Sequence, residues 1–396
     1  MFRQSFLMST MQPSRLPRVV IDVEKLRNIH SGLGLFSLSL ARELLNQHPQ
    51  TIHPVLLARP GIQQHFEGQS FETIEVKVWR KEEISKYIRP MVRPFFGKPK
   101  YDLWHVTNQM SKYMPLDPRV PVVLTIHDLI LLDVGGPAKV LRQRSSLQAK
   151  IDRASVVTTD SQHVADEVMS RFDLGNRSLR VVHLGLSKPC QASQERPGFL
   201  DPGPFLFSIG NMLPHKNFHV LIEFVLRMPN LRIVIAGKKD TTYGEFVRRE
   251  VKQRGLVDRI ICPGEVSDSI RQWLYEHCDA FLCPSIAEGF GFPVLEAMQC
   301  GKPVFLSKQT SLPEIGGDVS FYWDSYNPDS MASVFQNGMH VFRSERGYAQ
   351  KLCNHAANFS WSNTCKNYLR VYKEALDGNF HHEPSENIKK AEVSES

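Results

Sequence analysis

An α/β fold of two Rossmann-like domains facing across a cleft is predicted by three observations. Short apolar runs of strand character alternate with longer segments of helical spacing from Arg18 to Leu376. A stretch rich in proline and glycine, 187–204, interrupts that alternation, after which it begins again. Each half places a glycine-bearing loop between its first strand and its first helix. Alternation of this kind buries a parallel sheet between helices, and ligands bind at the carboxyl ends of such strands. With 396 residues, 42% of them hydrophobic and 22% charged, the chain is long enough for two full cores and has the composition of a soluble globular protein.

In the first half, residues 18–23 (RVVIDV) read as a buried strand, and residues 33–45 as a helix with Phe36, Leu40 and Leu44 on one face. The loop between them carries Gly32 and Gly34. A glycine loop opening a helix suits a phosphate or a sugar, and equally a plain tight turn. Residues 55–58, 74–79 and 103–106 are further strands. Between the last two, segment 79–100 interleaves Arg80, Lys86, Arg89, Arg93, Lys98 and Lys100 with Trp79, Tyr87, Phe95 and Phe96. That mixture fits an anionic lipid headgroup layer and equally a solvated basic loop. No nucleic-acid-binding motif accompanies it. Residues 120–128 form a strand ending in His127-Asp128, residues 139–149 a basic helix, and residues 155–160 a strand followed by Ser161 as a helix cap. Residues 181–185 close this half.

The second half opens with a strand at 205–209 and the loop Gly210-Asn211-Met212-Leu213-Pro214-His215-Lys216-Asn217. Asn217 is expected to cap a helix whose apolar face is Phe218, Leu221, Ile222 and Val225. A lysine between a glycine loop and a helix places an ammonium beside an anion. Residues 233–237 form a strand that exits through Lys238, and residues 260–266 another that ends at Val266, with a helix from Asp268. Residues 280–283 are a short buried strand closed by Pro284.

Then comes SIAEGFGFPVLEAM, residues 285–298, where Pro293 suits a first helical turn and Val294 and Leu295 continue it. The glycines let a bound group approach, and the helix start offers unpaired N–H groups to an anion. Glu288 and Glu296 would repel phosphate but accept hydrogen bonds from sugar hydroxyls, so phosphate plus sugar points to a nucleotide sugar. Residues 303–306 are a strand. Tyr368, Val371, Tyr372, Ala375 and Leu376 share a face of a last helix capped by Ser360. The divisions expected are an arm at 1–17, in which Met8 and Met11 are alternative starts, a first domain at 18–186, a linker at 187–204, a second domain at 205–360, a crossover helix at 361–378 and a disordered tail at 379–396.

The string 285–298, with the Cys300-Gly301-Lys302-Pro303-Val304 that trails it, resembles the signature of retaining glycosyltransferase family 4, the glycosyl transferases group 1. The loops at 28–34 and 210–217, Asp102-Leu103-Trp104-His105, the Thr125-Ile126-His127-Asp128 strand end and residues 311–318 resemble further landmarks of that family. The His215-Lys216-Asn217 loop is similar to that of mannosyltransferase-like members. The resemblance implies the GT-B arrangement, with an acceptor domain first, a nucleotide-sugar domain second and a last helix that crosses back.

It further implies transfer of a sugar from a nucleotide diphosphate to an acceptor hydroxyl with retention at the anomeric carbon. Lys216 then contacts the donor diphosphate, Glu288 the donor sugar, Glu296 the ribose hydroxyls, and His127 reaches the sugar from the opposite wall. Gly32, Gly34, Gly210, Asn211, His215 and the backbone of Gly289, Phe290, Gly291, Phe292, Pro293 and Val294 surround the donor. Lys238 and Val266 lie near the nucleobase. Many members carry arginine where Asn211 stands, which leaves Lys216 as the clearest cation, assisted by His215. No metal is expected. GDP-mannose is the first donor implied, with a saccharide or lipid-linked acceptor of surface polysaccharide or lipopolysaccharide synthesis. Glu288 as a covalent nucleophile and front-face departure both remain open.

The formal charge of +7 fits an anionic ligand or an anionic membrane face. Seven scattered cysteines without zinc spacing suit reduced thiols in a cytoplasmic protein, peripheral at most to the membrane. No run approaches the roughly 18 apolar residues that span a bilayer, and the first residues are too short in apolar length for a signal peptide. A dinucleotide-dependent oxidoreductase would need a Gly-x-Gly-x-x-Gly loop with a later acid, which is missing. A non-catalytic protein of the same fold that only binds a sugar nucleotide is disfavoured by the lysine and both glutamates.

Overall fold

The computed structural model describes residues 15–29, 31–47, 50–66, 68–77, 97–133, 135–191 and 196–378. Most of the arm at 1–17, the basic-aromatic stretch up to residue 96 and the tail at 379–396 lie outside the described residues, so the membrane reading of that stretch does too.

The first lobe runs β1 (Arg18–Asp22), α1 (Gly32–Gln47), β2 (His53–Ala58), β3 (Glu72–Glu75), β4 (Leu103–Val106), β5 (Val122–Ile126), α2 (Pro137–Arg153), β6 (Val156–Thr159), α3 (Gln162–Arg171) and β7 (Ser178–Val181). Its strands form one parallel sheet in the order β3-β2-β1-β4-β5-β6-β7. The central strands are largely apolar because helices cover both faces; β4 and β5 are buried along their whole length, with His105 and Thr125 as their polar members.

The second lobe runs β8 (Leu206–Ile209), α4 (Val220–Arg227), β9 (Ile233–Ala236), α5 (Thr242–Gln253), β10 (Ile260–Gly264), α6 (Asp268–His277), β11 (Ala280–Cys283), α7 (Phe292–Gln299), β12 (Val304–Ser307), the short α8 (Leu312–Gly316) and β13 (Phe321–Trp323). Helices α9 (Pro328–Ser344), α10 (Tyr348–Ala357) and α11 (Trp361–Asp377) complete the chain. This sheet is also parallel, in the order β10-β9-β8-β11-β12-β13. In each sheet the order reverses once, at β1/β4 and at β8/β11. Open α/β sheets bind their ligands outside the strand ends at such reversals. The segments so singled out are 23–29 and 107–121 in the first lobe, and 210–219 and 284–291 in the second.

Two crossings join the lobes, and they pair with each other. Leu186 bridges to Ser360, its N–H donating to the Phe359 carbonyl at 2.8 Å, and the Thr364 hydroxyl donates to the His183 carbonyl at 2.8 Å. Helix α11, capped by the Ser360 side chain at the Asn363 N–H, then lies on the first lobe. Its Tyr372 hydroxyl is 2.8 Å from Nδ1 of His105, and its Tyr368 hydroxyl 3.0 Å from the Thr125 hydroxyl. Both rings are buried, each contributing roughly 2 to 3 kcal/mol of apolar burial, and both hydroxyls are satisfied. Burial pushes His105 down to about 3, so it is neutral in this cluster.

Two local expectations are corrected. Asn217 is not a side-chain cap: it sits in the left-handed region (φ 57°), closing a 3-10 turn over Pro214–Lys216, and α4 begins only at Val220. At the close of the first half the strand is Ser178–Val181, and Val182 and Leu184 are apolar because they fill the hinge core. The strand expected at 74–79 is Glu72–Glu75, an edge strand whose alternating polarity hides it from an apolar-run criterion. All seven cysteines are free thiols. Among the described residues no helix is long and apolar enough to cross a membrane.

Candidate active site

Strand β8 runs into Gly210, and the loop after it returns Lys216 under that glycine: a Cβ added to Gly210 would lie 3.1 Å from Cε of Lys216. Strand β11, next to β8 in the sheet, delivers Glu288 to the same place. Nζ of Lys216 is 2.5 Å from Oε1 of Glu288, and the Ser285 hydroxyl donates to that oxygen at 2.7 Å. Burial disfavours the ammonium, but Glu288 and the nearby Cys283 outweigh it, and Lys216 is held above the usual lysine range. His215 goes the other way. Burial and the Lys216 charge lower it against the pull of Glu288, so it is neutral at pH 7 and is not a second cation. Asn211 is exposed, which leaves Lys216 as the cation of this loop.

The glycine stretch after Glu288 is held by its carbonyls. The Ser311 hydroxyl bridges the carbonyls of Glu288 (3.0 Å) and Phe290 (3.1 Å), and the carbonyl between them, that of Gly289, accepts the Ser161 hydroxyl at 3.0 Å. Gly291 takes a left-handed conformation (φ 111°) and opens α7, with Pro293 in its first turn. Among the described residues no hydrogen bond uses the N–H of Gly289, Phe290, Gly291 or Phe292. Unpaired N–H groups at a helix start beside a buried lysine can hold an anion. Phe290 and Val294 are buried, which anchors the turn, and Phe292 and Pro293 are partly buried. Glu296, one turn into α7, accepts the Tyr275 hydroxyl on Oε2 at 2.7 Å and has no other hydrogen bond among the described residues. Val266 is partly buried, and Lys238 is exposed, its carbonyl taking the Met212 N–H at 2.9 Å.

The opposite wall differs from the expectation at His127. Its Nδ1 is 2.5 Å from Oδ2 of Asp160 and its Nε2 2.8 Å from the Thr107 carbonyl oxygen. Both ring nitrogens are therefore spent on the protein, and the side chain offers no polar atom to a sugar in this geometry. Burial lowers its pKa, yet Asp160 and the Thr107 carbonyl more than compensate, and the net direction is upward. What His127 gives the cleft is backbone: a Cβ on Gly289 would lie 2.3 Å from the His127 carbonyl oxygen. Gly34 is packed against backbone. Its N–H donates to the Ser31 hydroxyl at 3.1 Å, and a Cβ there would lie 2.0 Å from the Asn28 carbonyl oxygen, so close packing explains the glycine. Gly32 is exposed with no atom within 4 Å of an added Cβ.

Further residues belong to the cleft. Glu314 of α8 reaches the first lobe, accepting the Gln162 N–H at 2.8 and 2.9 Å, the His163 N–H at 3.3 Å and Nε2 of His183 at 2.6 Å. Burial raises its pKa, but His183 and those N–H groups prevail and keep it below the usual range. Residues 311–318 stand out in the sequence, but nothing in their spacing tells which side chain crosses the cleft. Asp22, at the end of β1, is buried, hydrogen-bonded to Ser111 and to the Glu24 N–H; burial raises it to about 6. Among the described residues no group of three or more His, Cys, Asp or Glu side chains has the arrangement to hold a metal ion.

Residues 191–337 match the family described as Glycosyl transferases group 1. O-antigen chain mannosyltransferase B of Escherichia coli is 28% identical over 275 residues, 63% of this chain and 70% of that one. Among solved structures, sucrose-phosphate synthase from Thermosynechococcus elongatus superposes with a TM-score of 0.68 at 16% identity, covering 92% of this chain and 100% of the other. Anabaena HepE in complex with UDP-glucose gives 0.66 at 15% identity, covering 90% and 99%. Both share the two-lobed GT-B architecture described above.

Proposed function

We propose that this protein, whose residues 191–337 match the glycosyl transferases group 1 and whose two lobes have the GT-B architecture, is a glycosyltransferase that moves a sugar from a nucleotide diphosphate to an acceptor hydroxyl with retention at the anomeric carbon. The observation that carries this reading is the meeting of Lys216, Glu288 and the unpaired N–H groups of 289–292 at the start of α7.

Departure of a nucleoside diphosphate develops negative charge on its β-phosphate. Lys216 and those N–H groups are already oriented for that added charge, so they stabilise the transition state more than the ground state. No metal is required in this scheme, since the ammonium and the helix start supply the positive potential. Glu288 holds a hydroxyl of the donor sugar with its second oxygen, and Glu296 takes the ribose through its unpaired Oε1. Asn211 and Gly210 border the phosphates, and Lys238 and Val266 the nucleobase. With Oε1 of Glu288 bound by Lys216 and Ser285, front-face departure and attack is favoured over a covalent intermediate.

Mannose is the first sugar to test, because the Escherichia coli relative is an O-antigen chain mannosyltransferase; GDP-mannose is its donor in this reading. A saccharide or lipid-linked acceptor of surface polysaccharide or lipopolysaccharide synthesis follows from the same likeness. A panel of nucleotide sugars, scored for donor hydrolysis and transfer, tests the assignment, with NMR of the product anomer. Stabilisation by NAD and by no nucleoside diphosphate in a thermal shift would overturn it in favour of an oxidoreductase.

A further inference from the structure

We infer that Glu314 and Ser161 are positioning residues which couple closure of the two lobes to the orientation of the Phe290 amide, the central N–H of the anion site. The inference rests on the transferase reading above and goes beyond it, because neither residue touches the donor there.

Three consecutive carbonyls of the donor loop are pinned, but not by the same lobe. Ser311, in the second lobe itself, holds those of Glu288 and Phe290. Ser161, across the cleft, holds that of Gly289. In a trans peptide the N–H points opposite to the C=O of the same unit. Ser311 therefore sets the N–H groups of Gly289 and Gly291, while Ser161 sets that of Phe290. The central donor of the anion site is oriented only while the first lobe is in place.

Glu314 holds the first lobe there from the cleft side. Ser161 caps α3 by accepting the Val164 N–H, so its hydroxyl proton is available for Gly289. The first two N–H groups of α3, those of Gln162 and His163, are satisfied by the Glu314 carboxylate from the other lobe, three residues after Ser311. A carboxylate at a helix start is favoured by both hydrogen bonding and the helix dipole. The hinge contributes as well, through Nε2 of His183 on the same carboxylate. One short segment, 311–314, thus grips the donor loop with its serine and the acceptor lobe with its glutamate.

The test uses the full chain with Ser161→Ala, Glu314→Gln and Glu314→Ala, read by nucleoside diphosphate binding in calorimetry, by transfer kinetics and by amide hydrogen exchange. Glu314→Ala is expected to speed exchange at Gln162 and His163 by about tenfold. Ser161→Ala and Glu314→Gln are expected to lower kcat about 10- to 100-fold, the worth of one oriented or charge-assisted hydrogen bond, with donor KM changed less than about threefold. A merely structural role would not split kcat from KM in this way. Faster exchange at Gln162 and His163 with kcat unchanged overturns the coupling, and so does unchanged exchange in Glu314→Ala. If the unaltered chain binds no nucleoside diphosphate, the transferase reading falls first and the coupling with it.

Discussion

Nζ of Lys216 stands 2.5 Å from Oε1 of Glu288, with both side chains about 14% and 13% exposed. A pair so withdrawn from water is costly to break from one side, because the remaining charge has no partner. Lys216→Met and Glu288→Gln are each expected to lose about 2 to 4 kcal/mol of stability in urea unfolding. The double variant should recover most of that loss. Its transfer rate should stay about 100- to 1,000-fold down, because the donor to the leaving diphosphate is gone. Recovery of transfer along with stability would show that the pair is structural only.

His127 and Asp160 make a prediction about pH. A carboxylate on one ring nitrogen and a carbonyl on the other both want a donor, so the imidazole is favoured in its doubly protonated form. Its folded pKa is raised, so its contribution to stability is complete below about pH 6.5, the ordinary histidine value, and is lost as pH rises through the folded value. The groups facing it include Asp128 as well as Asp160. Urea midpoints should therefore fall on the alkaline side in the unaltered chain, and Asp160→Asn should flatten that fall. A midpoint that climbs between pH 6.5 and 8.5 because of His127 would contradict the assignment.

Parts of this site are legible in the sequence and parts are not, for a physical reason. The strands at 103–106 and 280–283 coincide with Leu103–Val106 and Ala280–Cys283, because strands buried on both faces are predominantly apolar runs, His105 being the polar exception. The glycine loops fall at the reversals of strand order for the same reason. What pairs with what is non-local: Lys216 meets Glu288 from 72 positions away, and His127 is claimed by Thr107 and Asp160 from the adjoining strand ends. Gly34 reads as a ligand glycine, and its packing role is hidden, since the Asn28 carbonyl that excludes its Cβ is invisible in the letters. Glu314 sits in a noticed stretch, yet its partner is a helix start 152 positions earlier.

Asp22 predicts the opposite kind of substitution, one that stabilises. Burial lifts its carboxyl from 3.8 to about 6 in the folded chain, against the help of Ser111 and the Glu24 N–H. A carboxyl with a raised folded pKa favours the fold below about pH 3.8 and costs stability as pH rises through 6. A shift of that size corresponds to about 3 kcal/mol at neutral pH. Asp22→Asn keeps an oxygen for the Glu24 N–H and offers an amide to the Ser111 hydroxyl. Its stability relative to the unaltered chain should grow between pH 4 and pH 8 by up to about 3 kcal/mol. A constant difference across that range would mean that Asp22 is not buried in the charged form.

Gly289 and Gly32 separate two uses of glycine at one cleft. An alanine at 289 would put its Cβ 2.3 Å from the His127 carbonyl oxygen, which is backbone and cannot swing aside, so the donor loop or the lobe must move. Gly289→Ala should lower transfer at least about tenfold, enlarge the radius of gyration in solution scattering, and cost about 1 to 3 kcal/mol of stability. Gly32 is exposed at the start of α1 with nothing within 4 Å of the added carbon. Gly32→Ala should therefore keep or raise stability by up to about 1 kcal/mol. If a donor phosphate or an acceptor passes over that loop, the same substitution will raise the corresponding KM while the protein becomes no less stable. Unchanged kinetics in Gly32→Ala would remove Gly32 from the site and leave the first lobe represented there by the His127 backbone and Ser161.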